Sequence, residues 1–492
     1  MIEASRQRDA AQFEARHAES ANEFLNLLFL TDGGASQTLS PARRIELGAR
    51  MLELQYRDDP RFAGRMLVEL STQYRGKTAT RDAVELDERA HELGRSVGDS
   101  ELMAMAQCAA AYAETTAGIT TRAPERLADA RRRISDMRAP SISLQVDCMR
   151  ADADLALRLG HGAAAEQILN GSRILLEHSG QTYRAAYSSV LNDLGGVYNE
   201  TGRPGEALAM AQLIGATHER YGRGGTTARL MALQNESTVL LNMGEIRESL
   251  RLDEEVHARR LAIVGDAPEP LSLMVNTANR MIRVGRVQEG IDLARAARDQ
   301  ARRAGNYLWL IVGLRVMCSG YLDLGLLADA DSTIQELAAA LGNGATADPR
   351  FRGLLDRVRG QLELHRGVPA AALGHATASL AATDTALNGQ SWEASEALLL
   401  AARAELALGR PADAEREARQ VVGIAEAAAR GPDTSADVGE ALLLLAQAEI
   451  AQNHRADAQP VLERAVRCLT NGLGVEHPLS QQALSLAAGN KV

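Results

Sequence analysis

An all-α solenoid of about ten stacked helical hairpins is the fold this 492-residue sequence predicts, and three observations predict it. A glycine recurs about every 42 residues, small residues stand in columns on both sides of it, and proline follows it at a fixed offset. The glycines are Gly76, Gly118, Gly160, Gly202, Gly244, Gly285, Gly325, Gly367 and Gly409, with Asn453 in the tenth slot; successive spacings are 42, 42, 42, 42, 41, 40, 42, 42 and 44. Glycine, and asparagine after it, accepts the left-handed conformation that closes a helix. A period of this length is the mark of stacked supersecondary units.

Each element follows from that register. Seven residues before the turn stand Ala111, Ala153, Gly195, Ser237, Ala278, Cys318, Gly360, Ala402 and Ala446. Five after it stand Ala123, Ala165, Ala207, Ser249, Gly290, Ala330, Ala372, Ala414 and Ala458. Small residues on both flanks of one turn let two helix backbones approach closely, so each unit reads as helix A, tight turn, helix B. Pro204, Pro369 and Pro411 stand two residues past the glycine, where a fixed φ and a missing N–H suit the first turn of helix B. Removing the turns leaves about 18 residues per helix, roughly 27 Å at 1.5 Å rise. One hairpin cannot bury its apolar face alone, so the units must share a continuous core.

The stretch Leu191, Leu194-Gly195, Tyr198, Gly202, Ala207 carries the pattern most fully. At these offsets the chain resembles the tetratricopeptide repeat, and its period resembles the 42-residue variety of kinesin light chains. The ending LGVEHPLSQQALSLA, Leu473 to Ala487, is similar to the close of such repeats. HEAT repeats overlap in length but fit the small-residue columns less well. The resemblance covers about residues 58 to 490 and implies a right-handed superhelix: residues 1–57 as N-terminal capping helices, 58–475 as the hairpins, and 476–492 as a C-terminal capping helix and tail. Within the first segment one helix is expected over residues 2–30, and Ser40-Pro41 opens another with an N-cap and a proline at N1. The run from HAESANEFLNLLFL to Asp59-Pro60 resembles the connector that precedes the repeats in bacterial serine/threonine protein kinases of the tetratricopeptide type.

Composition narrows the function. Hydrophobic residues make up 46% and charged residues 24%, which suits a folded chain rather than a disordered one. A net charge of −10 and only 16 aromatics (2 Trp, 9 Tyr, 5 Phe) oppose nucleic-acid binding, which needs cations for phosphate and rings for bases. Cys108, Cys148, Cys318 and Cys468 are far apart, so neither a disulfide framework nor a zinc site is expected. The apolar run from Tyr307 to Leu327 has the length of a membrane span but contains Arg315 and Asp323 and fits the repeat register, so it is read as a buried helix. No secretory leader is visible, and a cytoplasmic location is expected.

The sequence contains no kinase signature, no phosphate-cradling G-x-x-x-x-G-K-[ST], no H-E-x-x-H and no G-x-S-x-G, so no catalytic residue, cofactor or metal is expected. The readable surface is the inner face of helix A. In tetratricopeptide proteins, positions ten, nine and six residues before the turn bind extended peptides. Here they hold Asn192, Gln234, Asn235, Asn276, Asn279, Arg315, Arg357, Gln361 and Arg403. Carboxamides both donate and accept, as a peptide backbone does, and arginine grips carboxylates in bidentate fashion. The expectation is a non-catalytic scaffold or sensor that binds a peptide or protein, with an acidic segment toward the arginine end. Inter-repeat ion pairs on a solvated face would explain the same arginines. The second expectation, implied by the connector, is the regulatory part of a membrane-tethered kinase whose catalytic domain lies elsewhere and whose array stands outside the cytoplasm.

Overall fold

The computed structural model describes residues 19, 41–74, 80–182, 185–265, 268–342, 351, 353–387, 392–431 and 433–489. The helix expected over 2–30, apart from Glu19, and the first turn glycine, Gly76, lie outside them. Among the described residues every regular element is a helix. The chain forms two compact units, residues 1–159 and 160–492.

The first unit contains helices Pro41–Gln55, Pro60–Tyr74, Thr80–Ser96, Ser100–Thr116, Ala123–Asp136 and Ile142–Arg158. One apolar cluster gathers Leu52, Phe62, Leu67, Leu86 and Leu102; a second gathers Cys108, Leu127, Leu144 and Cys148. Cys108 and Cys148 form a disulfide with Cα atoms 5.0 Å apart, which corrects the expectation that the cysteines form no disulfide framework. The physical reason is the repeat: a separation of 40 residues is nearly one period, so distant cysteines land on adjacent A helices. Cys318 and Cys468 remain free and buried.

The second unit opens with Gly162–His178 and continues as hairpins, each named here by its turn residue. They are Gly202 (Ala185–Glu200, Pro204–Arg220), Gly244 (Thr227–Asn242, Ile246–Val264), Gly285 (Leu271–Arg283, Val287–Ala304) and Gly325 (Tyr307–Asp323, Leu327–Gly342). Then come Gly367 (Leu354–His365, Pro369–Leu387), Gly409 (Trp392–Ala407, Pro411–Ala428) and Asn453 (Ala436–Ala451, Arg455–Gly472), followed by Pro478–Gly489. Helix B starts on Pro204, Pro369 and Pro411, as their offset predicts.

The turns repeat one geometry. All nine described turn residues from Gly118 to Asn453 have positive φ, between 64° and 90°. At all of them but Gly160 the next residue donates its N–H five positions back, as in Arg203 to Tyr198 at 2.7 Å and Leu326 to Tyr321 at 2.8 Å, which satisfies a carbonyl the helix end would leave open. The small-residue columns face each other across the hairpin. A Cβ on Gly290 would meet Ala278 O at 2.7 Å, and one on Gly360 would meet Ala372 O at 3.2 Å. Where serine fills both columns, Ser249 Oγ donates to Ser237 O at 2.6 Å and Ser237 Oγ to Asp253 at 2.6 Å. Tyr307–Asp323 is the A helix of the Gly325 hairpin, with Ile311, Leu314, Val316 and Cys318 in the core. No described helix is long and apolar enough to cross a membrane.

The second unit winds back on itself. The Gly244 turn meets the start of the Asn453 hairpin, five hairpins further on. Ala436 N donates to Gly244 O at 2.8 Å. Arg430 grips Glu245 through Nη2 at 2.6 Å and Nε at 3.0 Å. Ile246 lies in one apolar cluster with Ala436, Val438 and Leu442. Beside this seam, Arg283 pairs with Asp437, and His477 packs against the Gly285 turn. This winding turns the inner A-helix faces toward one another, with Arg283 and Asp437 on two A helices in contact.

Candidate interaction surface

All nine residues singled out by register lie in the second unit, on the A helices of the Gly202 to Gly409 hairpins. The first five form the amide end. Asn235 Nδ2 donates to Asn192 Oδ1 on the neighbouring A helix, and Gln234 Nε2 donates to Ser272 Oγ at 3.0 Å one hairpin on. Asn192 is exposed, while Gln234, Asn235, Asn276 and Asn279 are half-buried. Spacing by one period puts these amides side by side, and each bonded pair keeps further donor and acceptor capacity.

The remaining four occupy the guanidinium end in three different settings. Arg403 forms an ion pair with Glu440. Gln361 is half-buried, its backbone carbonyl accepting from His365 Nδ1 at 2.9 Å. Arg315 and Arg357 converge on one indole: their Cζ atoms lie 5.2 and 5.4 Å from the Trp392 ring centroid. Arg357 is 3% exposed, and its Nη1 has no hydrogen-bond partner. Among the described residues neither of these two guanidinium groups has a carboxylate within 4.0 Å.

The electrostatics follow from this enclosure. Burial pushes Arg315 down to about 10, with Glu396 pulling the other way and Arg357 adding repulsion. Burial likewise lowers Arg357. Glu440 is raised by burial, but Arg403 and Arg283 outweigh that and hold it below the usual carboxylate value. Burial raises Asp323 to about 6, opposed by His365 and Arg403 and reinforced by Glu440. Burial holds the His477 imidazole below its ordinary value, with Arg283 adding to the effect and Glu440 opposing it. Cys318 is pushed up to about 12 by burial, which leaves it a packing residue.

Several of these inner groups were not singled out in the sequence. Glu396 and Glu440 share one register position, thirteen before the turn, one helical turn from the arginine column at ten; Arg283, Asp323 and His365 share the position two before it. Extending the register by one turn in each direction would have found them. Trp392, one of two tryptophans, carries no register signal.

No family model matches the chain, and no curated protein matches it. Solved structures do. The apo quorum sensor NprR from B. thuringiensis aligns at 12% identity over 73% of this chain and 98% of its own, TM-score 0.49. A Rap protein complexed with Competence and Sporulation Factor aligns at 10% over 73% and 99%, TM-score 0.46. A kinesin light chain with nearly identical TPR-like repeats from Podosopora anserina aligns at 19% over 41% and 96%, TM-score 0.32.

Proposed function

We propose that this chain is a non-catalytic interaction module, a scaffold or sensor that holds a peptide or protein against the inner A-helix faces of its second unit. The observation that carries the reading is the gathering of unspent hydrogen-bonding capacity on one inner face, amides at one end and Arg315 with Arg357 at the other. An extended peptide offers the alternating donors and acceptors that suit the amides. Affinity capture on the intact chain, followed by mass spectrometry, tests the reading when paired with a variant in which Arg315, Arg357 and Arg403 are all replaced. A partner kept by the parent and lost by the variant, at equal melting temperature, supports it. Unfolding of the variant would make the arginines structural, and retention of no partner by either would sink the reading.

A second reading is the regulatory part of a membrane-tethered kinase; the Cys108–Cys148 disulfide bears on its location alone, because such bonds persist outside the cytoplasm, where that reading puts the array. An in-frame kinase domain in the genomic sequence upstream of Met1 would support it, and a stop codon there would count against it.

A further inference from the structure

The arrangement around Trp392 names the chemistry of one partner group, on the premise that the interior of the second unit is where a partner binds. We infer that Arg315 and Arg357, both set against the Trp392 indole, form a site for a single carboxylate carried by that partner.

Three observations lead there. Arg315 comes from the Gly325 hairpin, Arg357 from the Gly367 hairpin and Trp392 from the Gly409 hairpin, so three successive repeats build the cluster. Contact with an aromatic ring holds a guanidinium in place while leaving its edge N–H groups to donate, and that fork matches the two oxygens of a carboxylate. Arg357 is 97% buried by its 3% exposure, yet Nη1 lacks an acceptor. A buried donor left unmade is costly, so an acceptor brought from outside is bound with that cost relieved.

The neighbours set the charge of the ligand. Glu393 and Glu396, on the same helix as Trp392, act on both arginines through the field but lie beyond ion-pair distance. Arg283, which also acts on Arg315, is paired with Asp437, so the two arginines and two glutamates leave the cluster near neutrality. It therefore favours one carboxylate over a phosphate dianion, which the two glutamates repel. Trp392 is 40% exposed, so the indole side of the cluster is reached by solvent and by a group carried in it.

The test uses the full chain carrying Trp309→Phe, so that Trp392 is the sole indole. Its fluorescence is titrated with three probes: an end-blocked hexaglutamate peptide, a hexa-alanine peptide with a free C-terminal carboxylate, and inorganic phosphate. A saturable change is expected with one of the peptides. Response to hexaglutamate identifies a side-chain carboxylate, and response to hexa-alanine a chain terminus. R315M and R357M should each weaken the response at least tenfold without lowering the melting temperature, and E396Q should strengthen it several-fold. If R357M does not fold, R315M and E396Q carry the same test. A response to phosphate alone, no saturable response, or equal titrations in parent and R315M would overturn the inference. A chain that retains a protein partner but ignores both peptides sinks only the carboxylate site. One that answers the peptides while retaining no protein sinks the interaction reading.

Discussion

Within the second unit, the turns of the Gly244 and Gly325 hairpins occupy the same repeat position and live in different surroundings. The residue before the glycine is Met243 at 1% exposure in one and Leu324 at 43% in the other. Further along the row, Leu408 before Gly409 is 38% exposed and Val368 after Gly367 is 44% exposed. The backbone is the same in each case, φ 75° at Gly244 and 69° at Gly325. What differs is that the Gly244 turn is covered by the start of the Asn453 hairpin. A repeat position thus has no fixed burial; the winding of the array assigns it.

Glycine substitution should separate the two turns most strongly. A Cβ on Gly244 would meet Ser435 Oγ at 2.2 Å and Asp437 N at 3.1 Å, whereas one on Gly325 meets nothing within 4 Å. Gly325→Ala should cost about 1–2 kcal/mol, the left-handed strain alone. Gly244→Ala should cost roughly 1–3 kcal/mol more through overpacking at the seam. Chemical denaturation of the two variants measures the difference, and equal costs would show that the seam is absent in solution.

Apolar-to-polar changes come next. Met243→Gln should destabilise by about 2–4 kcal/mol, since it puts an amide into a buried site, while Leu324→Gln should stay within about 0.5 kcal/mol. Denaturation midpoints check both. Ion pairs sharpen the same comparison at lower cost. Glu245 at the seam is 8% exposed, so Arg430→Ala should cost about 1–2 kcal/mol by stranding a carboxylate. Arg366 and Asp331, 2.8 Å apart with side chains 37% and 40% exposed, should be nearly silent, and Arg366→Ala should leave the denaturation midpoint unchanged.

The smallest effect is a pH dependence. Asp323 titrates near 6 in the fold, above its unfolded value, so the folded state binds its proton more tightly. Its contribution to stability is present in acid and is lost as pH rises through about 6. Asp323→Asn should therefore raise the melting temperature near pH 7.5, on the order of 1 °C because Asp323, though desolvated by the surrounding inner-face groups, keeps contact with solvent, and leave it unchanged near pH 4. Melting curves at the two pH values check the sign.

Much of the fold was legible because its determinants are local. Gly202, Pro204 and Ala207 announce a turn, a helix start and a close helix contact within six residues, and all three do so in the structure. The Cys108–Cys148 bond carries no short-spacing signal of a metal or redox site; its 40-residue separation is legible only through the repeat, which sets the two cysteines on neighbouring A helices. At the inner face, register located Arg315, Arg357 and Arg403 but did not distinguish them. Arg403 is paired with Glu440, whereas the other two share Trp392, which comes from a position with no column.

The sequence by itself determined the unit: its length, its turn conformation and the side on which its helices touch, because each depends on residues a few positions apart with the φ, size or capping group required. Only the tertiary structure decided which turns are covered and which arginines stay without a carboxylate partner. Those outcomes depend on how small rotations between neighbouring hairpins add up over five of them, bringing Gly244 against Ala436 and Arg430 against Glu245. No single repeat carries that sum.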